Sequence, residues 1–228
     1  MGYTRVKICG ITRPKDAQLA AELGADAIGL NFVGGPRQIE IEQAIKIAQD
    51  LPPLVHVVAL IGEGFTHKNL LKVAQSDLYE HIVCLQIYRS ARSHPPSPGY
   101  YGMSRAFWPV LHVSCREFAK EVRLMVNELE AESSFPCAVL LDTATKKLGG
   151  SGKAFHWNWV AYAREASEWK GLPPIILAGG LTPDNVARAI RIVQPYAVDV
   201  SSGVEVARKP GVKDPIKMRD FIQAAKNA

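Results

Sequence analysis

A thiol and a carboxyl group stand at the ends of two apolar stretches that lie far apart in the chain. Cys9 closes the stretch 5–9, and Asp142 follows the stretch 137–141. A catalytic thiol needs its pKa lowered by nearby positive charge or backbone dipoles, and strand alternation puts Lys7 on the same side as Cys9. An aspartate at the mouth of an apolar pocket can keep a raised pKa and donate a proton. Their ordinary alternatives are an inert buried thiol and a turn-forming or helix-capping carboxylate.

Glycine-bearing turns follow the last two predicted strands. Gly179 and Gly180 stand after one strand, and Ser202 and Gly203 stand after the other. In α/β barrels the turns after strands seven and eight often bind phosphate through backbone N–H groups, and glycine lets the backbone approach the anion. These four residues therefore predict a phosphate site, with tight turns that bind no ligand as the alternative.

Two further loops contain residues that could be taken for binding motifs. The loop after Asp142 is not a nucleotide-binding P-loop, because Lys147 stands where G-x-x-x-x-G-K-[ST] needs glycine and Ala154 where it needs Ser or Thr. Arg37 lies after the second predicted strand, and it is either a surface arginine or a bidentate partner for a carboxylate.

Short apolar and β-branched runs alternate with helical patterns along the whole chain. The predicted strands are 5–9, 26–32, 54–60, 81–87, 109–113, 137–141, 174–178 and 197–200. The predicted helices are 14–24, 41–51, 67–75, 117–132, 157–169, 182–193 and 215–226, with Thr12 and Thr182 as N-caps. Near-continuous apolar strands between helices are typical of a buried parallel sheet. We predict an α/β fold, a single (β/α)₈ TIM barrel formed by one domain over residues 1–228, with an open doubly wound sheet as the alternative.

In such a barrel the carboxyl ends of all strands meet on one face, where barrel enzymes have their active sites. The chemically distinctive residues of this chain stand at those ends, which predicts one shared pocket. They are Cys9, Arg37, Gln86, Asp142, Gly179, Gly180, Ser202 and Gly203.

The composition limits the class of protein. The chain has 228 residues, 47% of them hydrophobic, and a net charge of +5, which suits a small anionic ligand. Lys and Arg are dispersed, so nucleic acid is not an expected partner. The four cysteines form no C-x-x-C pair, so no metal site is expected. No export signal or bilayer-spanning run is evident, and we expect a cytoplasmic protein without membrane partners.

A series of short patterns, in order along the chain, resembles the phosphoribosylanthranilate isomerases, a family of tryptophan-biosynthesis enzymes. They are Val6-Lys-Ile-Cys-Gly-Ile-Thr12, Gly24-Ala-Asp-Ala-Ile-Gly29, Pro36-Arg37, Leu140-Leu-Asp142 with Gly150-Ser-Gly-Lys153, Leu177-Ala-Gly-Gly-Leu-Thr-Pro183, and Val198-Asp-Val-Ser-Ser-Gly-Val-Glu205 with Pro210-Gly-Val-Lys213. The series covers the first third and the last two-fifths of the sequence. Together the patterns are highly specific, whereas any one alone is weak.

The resemblance implies an Amadori rearrangement of N-(5-phosphoribosyl)anthranilate that needs no cofactor. Cys9 is then the expected general base, Asp142 the general acid and Arg37 the group that binds the anthranilate carboxylate. Phosphate falls to Gly179, Gly180, Ser202 and Gly203. Lys7, Gln86 and Asp199 are expected to bind substrate. The segment 148–154 is then expected to be a mobile cover, and the protein a monomer or homodimer.

One region departs from the family pattern. The fourth strand of the family usually ends in a Q-L-H-G-type sequence, whereas this chain has Gln86-Ile-Tyr-Arg89. Whether Tyr88 or Arg89 replaces the missing histidine stays open. The alternatives to the isomerase are a sugar-phosphate-binding barrel without this activity and an isomerase of a related phosphorylated aminosugar. The sister histidine-pathway isomerase is less well matched, because that family has an aspartate at the position of Cys9.

Overall fold

The structure is a computed structural model that describes residues 3–62, 65, 67–88, 105–143 and 155–228. Arg89 and the predicted cover at 148–154 lie outside the described residues. The expectation of one domain over residues 1–228 stays a prediction.

Eight parallel strands close into a barrel in which each strand pairs with its neighbours in the chain and β8 pairs with β1. The strands are β1 Arg5–Cys9, β2 Ala27–Asn31, β3 His56–Ile61, β4 Ile82–Tyr88, β5 Ala106–Val113, β6 Val139–Thr143, β7 Ile175–Leu177 and β8 Ala197–Val200. The predicted (β/α)₈ TIM barrel is therefore confirmed. Strands that are apolar on both faces must be covered on both, which an open doubly wound sheet also achieves; the pairing of β8 with β1 decides for the closed barrel.

Helices cover the outside of the barrel. They are α1 Pro14–Glu22, α2 Ile41–Ala48, α3 His67–Ala74, α4 Leu78–His81, α5 Phe118–Ala131, α6 Asn158–Glu165, α7 Val186–Val193 and α8 Pro215–Lys226. Their apolar residues recur at helical spacing; α7, for example, buries Val186, Ala189, Ile190 and Val193. The short α4 was not predicted from the sequence.

Both threonine caps predicted from the sequence are wrong. Arg13 occupies the N-cap of α1, and the Thr12 hydroxyl donates instead to the Gly211 carbonyl oxygen at 2.6 Å. Helix α7 begins four residues later than predicted, with Asn185 at its N-cap. The Asn185 side chain accepts from the Thr182 N–H at 2.9 Å and donates to the Gly180 carbonyl at 2.9 Å, so it closes a turn where a first helical turn was expected.

Six of the eight strands have ends that differ from the prediction. Strand β5 begins at Ala106 and includes Pro109, which pairs with Ile87 of β4. Strand β6 extends to Thr143, so Asp142 lies within the strand opposite His112 of β5. Strand β4 ends at Tyr88, one residue past its predicted end. Pairing with neighbouring strands extends these runs beyond their apolar residues.

Alternation along the strands separates two cores. Residues such as Leu111, Leu141 and Val198 pack under the helices in one large cluster. The residues of opposite parity fill the barrel interior in two smaller clusters. The first is Val110, Ala138, Leu140, Ile176, Ala178 and Ala197, and the second is Cys9, Val58, Leu60 and Cys84. This filled interior forms the floor on which the polar residues at the strand ends lie. In the described part of the chain, every helix is too short or too polar to cross a bilayer.

Candidate active site

One cavity opens at the carboxyl ends of the strands. Eight of the residues predicted from the sequence line it, and they come from loops or strand ends around the barrel mouth. They are Cys9, Arg37, Asp142, Gly179, Gly180, Asp199, Ser202 and Gly203. Tyr88 and Thr143 also line it. Lys7 and Gln86 do not; they lie beneath the cavity.

A buried polar chain links the residues beneath the cavity to its wall. Lys7 Nζ donates to Asp199 Oδ1 at 2.7 Å and to Gln86 Oε1 at 2.9 Å. All three side chains are buried. Because a buried ammonium needs both a counter-charge and hydrogen bonds, this arrangement fixes all three groups in place. Lys7 and Gln86 therefore act on the cavity indirectly, because the chain they form holds Asp199 in the cavity wall.

Cys9 is the last residue of β1 and is only 5% exposed. Burial raises the pKa of the Cys9 thiol and the Asp199 carboxylate adds to this, while Lys7 and Lys213 partly offset the increase in pKa. The resting group is therefore the thiol, with two cations near enough to favour its loss of a proton. A methyl group on Gly29 would come within 2.8 Å of Cys9 Sγ, so glycine is needed there to leave room for the sulfur.

Asp142 lies across the barrel from Cys9, since β6 pairs with β5 and β7 and not with β1. Burial raises the pKa of the Asp142 carboxyl; His112 and the Thr143 N–H oppose the rise, while Asp199 adds to it. The Thr143 N–H donates to Asp142 Oδ1 at 2.7 Å. An acid whose pKa is raised in this way can hold its proton closer to neutral pH than an ordinary aspartate can.

The glycine turns adjoin Asp142. Gly179 and Gly180 have φ angles of +84° and +65°, which favour glycine, and a side chain at Gly179 would collide with Thr143 and Asp142. A side chain at Gly203 would collide with the Leu181 carbonyl. Gly203 belongs to a short 3₁₀-helix, Ser202–Val204, that follows β8. Backbone of both turns is thereby exposed along one wall of the cavity, where it can receive an anion.

Arg37 is held by an ion pair that the sequence analysis missed. Its Nε and Nη2 each donate to a Glu205 carboxylate oxygen at 2.7 Å. Lys213 Nζ donates to Glu205 Oε1 at 3.1 Å. Burial favours the neutral Glu205, but the two cations outweigh it and lower the pKa of Glu205. Glu205 and Lys213 stand within the quoted sequence patterns, but no spacing rule pairs them with Arg37.

The ion pair with Glu205 fixes the direction of the remaining N–H donors of Arg37. A guanidinium has five N–H donors, of which Glu205 uses two. Arg37 passes directly over Gly10 and lines the cavity beside Cys9. A Cβ added at Gly10 would come within 2.6 Å of Arg37 Cδ. Glu205 thus fixes one edge of the fork and leaves other donors for an anionic group.

Comparisons with known proteins agree over the full chain. Residues 112–224 match the family model described as N-(5′-phosphoribosyl)anthranilate isomerase. The enzyme of that name from Geotalea uraniireducens is 41% identical over 224 residues, which cover 98% of each chain. The structure of phosphoribosyl anthranilate isomerase from Thermotoga maritima superposes with a TM-score of 0.77 at 34% identity, covering 99% of this chain and 100% of that one.

The chain belongs to the phosphoribosylanthranilate isomerase family. The family and the isomerase activity predicted from the sequence are thereby confirmed, and they assign the protein to tryptophan biosynthesis.

A further phosphoribosyl anthranilate isomerase structure holds a ligand. That protein is in complex with reduced 1-(o-carboxyphenylamino)-1-deoxyribulose 5-phosphate, and it is 31% identical with a TM-score of 0.74, covering 99% of this chain and 100% of that chain. The ligand carries a carboxylate at one end and a phosphate at the other.

Within this family, Tyr88 is the feature that the sequence analysis left open. It stands where the family pattern has histidine, and its side chain lines the cavity. Its ring centroid lies 6.2 Å from that of His112 on β5. His112 Nδ1 and Thr143 Oγ1 are buried without a hydrogen-bond partner among the described residues, and no sequence pattern indicated either residue.

Proposed function

We propose that the cavity converts N-(5-phosphoribosyl)anthranilate into 1-(2-carboxyphenylamino)-1-deoxyribulose 5-phosphate. The observation that carries this proposal is the position of Cys9 and Asp142 across one cavity, with the glycine turns beside Asp142. The family relationship supports the substrate, because a relative binds a reduced form of the product.

The substrate has an anion at each end, and the cavity has a site suited to each. The turn Gly179-Gly180 and the segment Ser202-Gly203 offer backbone donors to the phosphate. The free donors of Arg37 are suited to the anthranilate carboxylate. Both anchors lie away from the reacting carbon, so they orient the sugar without taking part in proton transfer.

Two proton transfers then complete the rearrangement. Asp142 donates its proton to the furanose ring oxygen, so the C1′–O bond breaks and a Schiff base forms. Cys9 acts in the fraction of molecules whose thiol has already released its proton to solvent; this thiolate removes the proton from C2′, and those electrons form the C1′–C2′ double bond of an enolamine. The enolamine tautomerises to the ketone. Each positioned proton transfer contributes roughly 10²–10⁴-fold to the rate.

The buried chain of Lys7, Asp199 and Gln86 has a supporting role in this proposal. Lys7 and Asp199 are within electrostatic reach of the Cys9 thiol, on whose pKa they act in opposite directions. Asp199 also lines the cavity and can meet the substrate directly. The expectations of a cytoplasmic protein and of a monomer or homodimer stay predictions; one related structure is of monomers made from the dimeric Thermotoga maritima enzyme.

The test is turnover of the substrate formed in situ from anthranilate and phosphoribosyl pyrophosphate by the preceding transferase. The wild type should remove the substrate fluorescence faster than spontaneous decay. Asp142→Asn and Cys9→Ser should each reduce kcat by roughly 10²–10⁴-fold with little change in KM.

Three outcomes are decisive. A wild type that does not exceed spontaneous decay rejects the reaction. Such a wild type that still binds ribose 5-phosphate would favour a barrel that binds sugar phosphates without this activity. Wild-type turnover by either variant rejects the role assigned to that side chain.

A further inference from the structure

Tyr88 ends β4 and connects the two sides of the cavity. Its ring packs against the interior cluster that contains Cys9 and Leu60, and also against the cluster that contains Leu140 and Ala178. The first cluster lies on the Cys9 side and the second lies beneath Asp142. The phenol therefore lies between the proposed base and the proposed acid, at the cavity wall.

The direction of the Tyr88 hydroxyl is set by the buried polar chain. Gln86 Oε1 accepts from Lys7 Nζ at 2.9 Å, and this fixes the orientation of the Gln86 amide. Its NH₂ group must then face the other way, and Nε2 donates to the Tyr88 hydroxyl oxygen at 3.0 Å. The phenol oxygen is thus an acceptor from below, and its own proton is free to point elsewhere. Among residues 3–62, 65, 67–88, 105–143 and 155–228, the hydrogen bond of the Tyr88 hydroxyl is the one it accepts from Gln86.

The hydroxyl keeps its proton in this setting. Burial raises the pKa of Tyr88 well above its ordinary range, and the nearby Cys9, Asp142 and Asp199 raise it further. A phenol in such a place is a neutral donor throughout the working pH range, and it is not a base. The cavity therefore contains a fixed, uncharged hydrogen-bond donor between its two reacting groups.

We propose that the Tyr88 hydroxyl donates a hydrogen bond to a hydroxyl oxygen of the sugar, in the stretch between the carbon that Cys9 deprotonates and the oxygen that Asp142 protonates. This inference rests on the proposed function. It gives Tyr88 the task of aligning the sugar chain after ring opening, when the chain gains rotational freedom that the two terminal anchors do not remove. It also explains how this member of the family works with tyrosine where the family pattern has histidine, since both side chains offer a donor.

The test compares two substitutions at one position. Tyr88→Phe removes only the oxygen, and kcat/KM should fall about tenfold, the loss expected for one hydrogen bond. Tyr88→His restores an N–H donor and should recover a substantial part of that loss. The assay is the coupled turnover assay, run well below the unfolding temperature of every variant, so that a change in stability does not change the folded fraction.

A matched control removes the same atom outside the cavity. Tyr162 is 46% exposed on α6, where the Arg116 guanidinium lies 3.6 Å from its ring centroid. Tyr162→Phe keeps that ring and should leave kcat/KM unchanged.

The outcomes separate this inference from the proposed function. Wild-type kcat/KM in Tyr88→Phe overturns the inference, and so does a Tyr88→His variant that is no better than Tyr88→Phe. In both cases the wild-type reaction stands. Absence of turnover by the wild type rejects the proposed function and this inference together.

Discussion

The two sides of the cavity differ in what lies beneath the reacting groups. On the Cys9 side, Lys7, Asp199 and Gln86 form a buried polar chain. On the Asp142 side the floor is apolar, with Leu140 and Ile176 directly below the strand ends. One reacting group therefore lies above paired charges and the other above hydrocarbon.

The difference suits a base on one side and an acid on the other. Burial raises the pKa of both groups, but on the Cys9 side Lys7 and Lys213 favour the charged thiolate. On the Asp142 side His112, the Thr143 N–H and Lys7 oppose the effect of burial, yet the pKa of Asp142 stays raised, so the carboxyl holds its proton to higher pH than an ordinary aspartate does. A single barrel interior thus provides two electrostatic environments from side chains on different strands.

The largest predicted effect removes the cation from the Cys9 side. Lys7→Met leaves the Asp199 carboxylate buried without its partner, which should lower the free energy of unfolding by about 3–5 kcal/mol. Urea denaturation followed by circular dichroism measures this. Arg219→Met is the control, because its pair with Asp220 is exposed at 50% and 44%, and it should cost no more than about 1 kcal/mol. Equal losses of unfolding free energy in the two variants would show that the buried polar chain on the Cys9 side depends on its cation no more than an exposed ion pair does.

A smaller effect is predicted for the Asp142 side, where the turn proposed to bind phosphate adjoins the proposed acid. The added methyl of Gly179→Ala would come within 2.7 Å of Asp142 Oδ1, so either the turn or the acid must move. Displacements of about 1 Å cost on the order of 10²-fold in rate, and kcat/KM should fall by about that factor.

Gly171→Ala is the matched control for this change. Gly171 has a similar φ of +78° with nothing within 4 Å of the added methyl. It should lose about 1 kcal/mol of stability and no activity. If Gly179→Ala keeps the wild-type kcat/KM, the close contact between this turn and Asp142 is not needed for activity.

The smallest predicted effect is a shift in the pH profile, which tests both sides at once. The proposed mechanism needs Cys9 as thiolate and Asp142 protonated. The active fraction is the product of the thiolate fraction of Cys9 and the protonated fraction of Asp142. Between the two pKa values, a rise in pH increases the first fraction and decreases the second by the same factor, so kcat/KM does not change. Below the pKa of Asp142 only thiolate is lost, and above the pKa of Cys9 only protonated carboxyl is lost.

Because both pKa values are raised, both edges of the plateau should lie at higher pH than for an ordinary aspartate and an ordinary cysteine. Initial rates at low substrate concentration across the pH range measure the edges, and Cys9→Ser should lose the alkaline edge. An alkaline edge at or below the pKa of an ordinary cysteine would show that the cations outweigh burial at Cys9.

Eight residues of the cavity could be identified from the sequence because of one property of parallel barrels. Cys9, Asp142 and the glycine turns follow apolar runs, and the carboxyl ends of all strands share a face, so membership of the cavity follows from strand order. Strand order does not show how deep in the barrel a side chain lies. Lys7 and Gln86 were expected to meet the substrate, yet each lies two residues before a cavity residue on its strand, and so beneath it.

Local signals failed where a distant partner competed for the same group. Thr12 has the side chain of an N-cap, but the Gly211 carbonyl, 199 residues away, accepts its hydroxyl proton. Strand β6 extends past its apolar run to include Asp142, because pairing with β5 continues the hydrogen-bond ladder. The predicted boundaries were wrong at these places because they depended on neighbours in the chain alone.

The sequence by itself was enough to predict the barrel, the family and the residues proposed to react, since these depend on the alternation of apolar runs and on short patterns at their ends. Only the tertiary structure decided which charges meet. Lys7 pairs with Asp199 across 192 residues, and Arg37 pairs with Glu205 across 168. Barrel closure brings β1 beside β8 and fixes these partners, and no local periodicity contains that information.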